Sequence, residues 1–94
     1  MKTYFSRVEL HGDPPAGLYE RLHEAMRRAG FSRAVNTTAG VCSLPHATYV
    51  IDSDLERDAI LNAAWSAATS VQADCEVLVI QSITFAGRGM RQQG

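Results

Sequence analysis

Three residues in the first quarter of the chain have side chains suited to chemistry: Glu9, Arg21 and His23. Glu9 lies in an alternating run, with Arg7 and His11 on its own parity. As a surface cross-strand ion pair this trio would contribute little. As a functional group, Glu9 would hold Mg²⁺ or act as general base in phosphodiester cleavage. In a dimer built through a sheet, two copies of Glu9 would approach across the two-fold axis. Arg21, His23, Arg27 and Arg28 share one helical segment. They read either as a solvated charged face or as a set in which arginines hold phosphates and His23 moves a proton. Arg7, Arg27 and Arg28 are the candidate nucleic-acid contacts. His46, behind Pro45 in a loop, fits no pattern. There is no glycine-rich phosphate loop and no nucleophile elbow. Cys42 and Cys75 lack the paired ligands of a zinc site, and no cofactor is called for beyond the Mg²⁺ of the Glu9 reading.

Four strands and two helices would have to position these groups. Residues 3–11 alternate, with Tyr4, Val8 and Leu10 on one parity and Phe5, Arg7, Glu9 and His11 on the other, as a strand requires. Gly12-Asp13-Pro14-Pro15 ends it, Asp13 serving as helix cap and a proline as the first helical turn. Over 15–29, Leu18, Leu22, Ala25, Met26 and Ala29 form one apolar stripe. Arg27 and Arg28 suit the negative end of that helix, and Gly30 suits its left-handed stop. Phe31 should fold back on the helix end. Residues 33–38 read as a weak strand, 39–41 as a turn, and Leu44-Pro45 as a break in pairing. Residues 46–51 alternate again, so the two strands predict a hairpin with a long, irregular connection. Ser53-Asp54-Leu55-Glu56 has the capping-box pattern and predicts a helix over 54–71. Its stripe is small (Ile60, Ala63, Ala64, Ala67, Ala68, Val71), with Trp65 covering the edge. Residues 75–85 are apolar on both parities, as a strand covered on both faces would be.

The order strand, helix, strand, strand, helix, strand, with right-handed crossovers, predicts an α+β fold. It is the ferredoxin-like βαββαβ sandwich: a four-stranded antiparallel sheet, strands one and three central, and two helices on one face. The opposite face would carry Phe5, Arg7, Glu9 and His11, with either Val77, Val79 and Ile83 or Leu78 and Ile80 from the last strand. An uncovered apolar patch predicts a homodimer through the open sheet face or through an edge. RNA is the other partner considered; base stacking on that face would have only Phe5 and Tyr49 to use. The chain has 94 residues, 46% of them apolar, and a net charge of −1, which fit one domain (1–86) and a flexible tail (87–94) with no global pull on nucleic acid. No apolar run nears the ~20 residues of a membrane span, so no membrane partner is expected. The N-terminus enters a strand at once, without a secretory pattern, which predicts a cytoplasmic protein with reduced thiols. A non-catalytic regulatory module and a small-molecule-binding or monooxygenase-like version of the fold stand beside the RNA reading.

Thr3-Tyr4, Gly30-Phe31-Ser32, Gly40 followed by Leu44-Pro45, Tyr49-Val50-Ile51 and the last strand carry a resemblance across most of residues 3–82. The chain resembles the GhoS family, the endoribonuclease antitoxins of type V toxin–antitoxin systems. That family is similar in turn to the small CRISPR-associated ferredoxin-like nuclease. The resemblance implies a ferredoxin-like fold, often dimeric, and cleavage of a toxin messenger RNA. It puts the family's acidic strand-one position on Glu9, glutamate replacing aspartate. It puts the helix-one arginines on Arg21, retained, and on His23, a departure. Histidine is itself competent for RNA cleavage. The Gly12-Asp13-Pro14-Pro15 loop is a further departure.

Overall fold

The first strand sets the architecture. In β1 (Lys2–Leu10), Tyr4, Ser6, Val8 and Leu10 are buried and the residues between them are not, so one face turns to the core. The computed structural model describes residues 1–91. Seven elements follow in order: β1, α1 (Ala16–Arg28), β2 (Ala34–Thr37), β3 (Gly40–Ser43), β4 (Thr48–Ser53), α2 (Arg57–Val71) and β5 (Cys75–Ser82). β1 is the centre of a three-stranded sheet, antiparallel to β4 on one side and to β5 on the other.

Both helices cover the face that β1 buries. Leu22 and Met26 of α1 and Ile60, Ala64, Ala67 and Ala68 of α2 form one core with Tyr4, Val8, Leu10 and Tyr49. Three of those α2 residues are alanine, so the helix backbone can lie close to the sheet. Fully buried Tyr4 donates its hydroxyl to the carbonyl of Leu55 at 2.8 Å, tying the loop before α2 to β1. Gly30 has a φ of 98°, the left-handed stop expected after α1, and Phe31 is buried with its N–H on the Met26 carbonyl.

The expected four-stranded sheet is not formed. The place beside β4 is held by one bridge: Ser32 and Val50 exchange backbone hydrogen bonds of 2.8 Å in each direction. The chain then leaves the sheet and closes a hairpin of its own, β2 against β3. This replaces the irregular hairpin between 33–38 and 46–51. The two-residue turn at Thr38-Ala39 is closed by Thr37, whose hydroxyl accepts from Ala39 N–H at 3.1 Å and donates to the Gly40 carbonyl at 3.0 Å. Gly40 supplies a φ of 109°. A hydroxyl closes this turn where Asn-Gly would usually signal it.

Both helix caps also differ from expectation. α1 starts at Ala16 with Pro15 at the cap and no side-chain cap bond, so Asp13 is not the cap. α2 starts at Arg57, and the Ser53 hydroxyl instead accepts from Leu55 N–H at 3.1 Å in a local turn. Serine can satisfy a nearby backbone group in either way, and here the turn wins. Of the expected tail, residues 92–94 lie outside the described residues. Residues 87–91 run beside the hairpin, where Arg91 C=O accepts Ser43 N–H at 2.8 Å. Phe85, just before them, meets Phe5 edge-on at 5.0 Å.

Candidate functional site

The sheet separates the two halves of the expected site. Arg7 and Glu9 project from the face opposite the helices, as alternation demands, while His23 sits on α1 in the helix layer. Glu9 lies opposite Glu76, and Arg7 opposite Leu78. With Val77 they line a shallow hollow of about 320 Å³. Like charges facing across a strand pair repel, so a cation belongs nearby. His11 stands at the strand end and meets this need when protonated: Nδ1 is 2.9 Å from Asp74 Oδ1 and Nε2 is 3.4 Å from Glu76 Oε1. The hydrogen bond to Asp74, aided by Glu76, outweighs desolvation and raises the His11 pKa. For the Mg²⁺ reading, Glu9 and Glu76 are two carboxylates on adjacent strands. Among the described residues no group of three His, Cys, Asp or Glu side chains is placed to hold a metal.

On α1 the arginines do not form one phosphate-binding row. Arg27 donates twice to Glu24, at 2.9 and 2.6 Å, and Arg28 once at 3.2 Å. These partners, Arg27 first, hold the Glu24 carboxyl at about 2. Arg21 is exposed on the same helix and makes no ion pair with the described residues.

His23 has company that the sequence did not suggest. Its Nδ1 is 2.7 Å from the hydroxyl of Tyr49 on β4. Tyr49 is fully buried on the helix side, so it is not available for base stacking on the open face. Burial pushes the Tyr49 phenol far up, so it keeps its proton. With no other partner among the described residues, it donates to Nδ1, which places the proton of neutral His23 on Nε2. Burial first, then the Arg33 charge, lowers the His23 pKa, with His46 adding a little and Glu20 opposing. Imidazole is thus kept neutral at pH 7.

The His46 ring lies 5.8 Å from His23, edge to face, and 4.5 Å from Tyr19. Tyr19 in turn accepts Leu10 N–H at 3.2 Å. Four polar rings therefore run in contact, Tyr19, His46, His23 and Tyr49, from the α1 surface into the core. A tight turn aims His46 at the others. Thr48 N–H bonds Pro45 C=O at 3.0 Å, and buried Ala47 has a φ of 57°. A non-glycine residue held in the left-handed region stores strain, and such residues gather at functional sites. Pro45-His46-Ala47 carries no glycine to announce the turn; a polar ring following a proline in a loop was the one signal available.

No protein-family model, curated protein or solved structure matches the chain. Among the described residues no helix is long and apolar enough to cross a membrane.

Proposed function

We propose that this chain is a small RNA-binding or RNA-cleaving protein of the endoribonuclease-antitoxin kind. Its fold is a ferredoxin-like βαββαβ arrangement whose fourth strand is cut down to the Ser32 bridge. The reading places the working surface on the α1 side of the sheet. The observation that carries it is the contact of two imidazoles there, His23 fixed by Tyr49 at 2.7 Å and His46 at a ring distance of 5.8 Å. Two imidazoles on one surface can share the proton movements of phosphodiester cleavage. Arg21 lies on the same helix and can meet a phosphate. Glu9 has no part in this version, because the sheet stands between it and the histidines.

A denaturing gel of RNA incubated with the purified protein tests the reading. Wild type should cut. His23→Ala and His46→Ala should lose cutting, and Glu9→Ala should keep it. If wild type neither binds nor cuts RNA, the proposal fails. Full activity in both histidine variants with loss in Glu9→Ala would return the site to the open face.

A second reading has its own observation. On the open face Leu78 and Ile80 are 57% and 53% exposed, beside the edge of β5, which pairs with no other described strand. A non-catalytic dimer formed through this face or edge would cover them. Sedimentation should then show a dimer that Ile80→Glu dissociates. A wild-type monomer at high micromolar concentration removes this reading.

A further inference from the structure

Beside His46 a groove of about 520 Å³ opens between residues 43–46 and residues 88–91. Its lining carries Arg33, Arg88 and Arg91 together with His46, on a floor of Leu44, Pro45 and Met90. Among the described residues no carboxylate lines it. None of the three arginines is in an ion pair with the described residues, whereas Arg27 and Arg28 both are. Three guanidiniums that no described carboxylate pairs repel each other in one concavity, and an anion relieves that repulsion. The arrangement is local: the net charge is −1, and the carboxylates of Glu9, Asp74 and Glu76 cluster around the far end of β1, near His11.

We propose that this groove binds the phosphodiester backbone of single-stranded RNA, with Arg33, Arg88 and Arg91 on phosphates and His46 at its inner wall. The site rests on the RNA reading above and adds where the backbone runs. Guanidiniums match phosphate oxygens bidentately, and the apolar floor suits sugar and base surface. His46 lines the groove and also touches His23 and Tyr19, so a phosphate held by the arginines lies next to the paired imidazoles. The C-terminal segment contributes two of the three arginines. It is therefore one wall of the site, joined to β3 through the Arg91 carbonyl.

Fluorescence anisotropy of a labelled single-stranded RNA against the full chain, from 50 to 200 mM KCl, tests the groove. Each phosphate contact to a single strand contributes about −0.7 to the salt slope, so three predict about −2 and roughly a 20-fold loss over that range. Arg88→Ala/Arg91→Ala should remove about two thirds of the slope and weaken binding at least tenfold at 100 mM. Both residues sit on an exposed segment, so folding is not at risk, and circular dichroism checks it. Arg57→Ala on α2 should bind as wild type. If wild type binds RNA and the double variant keeps both affinity and slope, the groove is refuted while the RNA reading stands. A loss that instead follows Arg27→Ala/Arg28→Ala moves the backbone path to α1 and also refutes it. Equal competition by polyglutamate overturns the assignment to phosphodiesters. No binding of RNA by wild type overturns the groove and the RNA reading together.

Discussion

Tyr49→Phe removes one oxygen and leaves the ring, so it isolates the hydrogen bond that fixes His23. A neutral intramolecular hydrogen bond contributes about 1 kcal/mol, and a buried acceptor left without its donor costs about 1–3 kcal/mol. His23 Nδ1 would be that acceptor, since the 2.7 Å contact to Tyr49 is the one it makes. The variant should lose about 1–3 kcal/mol, and a domain of this size loses about 4–8 °C of Tm for each. The pH dependence gives a second readout. His23 in the folded state has a pKa below its ordinary value of 6.5. The unfolded chain therefore takes up the proton first, and wild-type stability falls as pH drops below that value. In the variant no phenol donates to Nδ1, so protonation becomes easier and the His23 pKa rises toward the ordinary value. Acid destabilisation should then be shallower. Imidazole NMR titration with thermal melts between pH 5 and pH 8 measures both. Unchanged Tm together with an unchanged His23 titration would show that the contact does not hold the ring.

Three further outcomes follow from burial and charge. Ser6 is buried with its hydroxyl unpaired among the described residues, so Ser6→Ala should raise stability by about 1 kcal/mol in urea unfolding; a loss of that size would reveal a partner for the hydroxyl. Leu22 is fully buried, and Leu22→Ala should cost about 2–5 kcal/mol by the same measurement, whereas exposed Leu55→Ala should cost far less. Glu24 is held at about 2, below its ordinary 4.5, so its contribution is complete above pH 4.5 and is lost as pH falls toward 2. Its carboxyl ¹³C titration should move up in Arg27→Ala more than in Arg28→Ala, since Arg27 makes the two shorter bonds.

What the sequence revealed of the fold was whatever a period of two or of 3.6 encodes. The alternation of residues 3–11 put Tyr4, Val8 and Leu10 inward and Glu9 outward, and β1 does so. The stripe at Leu22 and Met26 and the alanine face of α2 both reach the core. Choices between competing local hydrogen bonds were not legible. Ser53 could cap a helix or close a turn, and Thr37 closes a hairpin that no glycine pair announced. The fourth strand is a related case: after the Ser32 bridge to Val50 the chain turns back at Thr37 and Gly40 into a hairpin of its own, and β2 pairs with β3 instead of extending the sheet beside β4.

The site was less legible because periodicity assigns faces and says nothing of meetings between distant loops. Glu9 and His23 are both where their own elements should put them, and for that reason they cannot meet: one parity of β1 faces away from the layer that holds α1. His46 came from the other direction. Nothing in its neighbourhood marks a ligand or a base, and its place depends on the left-handed conformation of Ala47. That conformation survives because Ala47 is buried and its carbonyl accepts Val8 N–H at 3.1 Å, so the central strand holds the turn in place. A loop whose strain is borne by the core strand keeps its side chain in one position without paying for it at the surface. The turn that carries His46 is therefore tied to β1, and His23 is tied to β4 through Tyr49, so any RNA chemistry on this face would draw its geometry from the sheet as well as from α1.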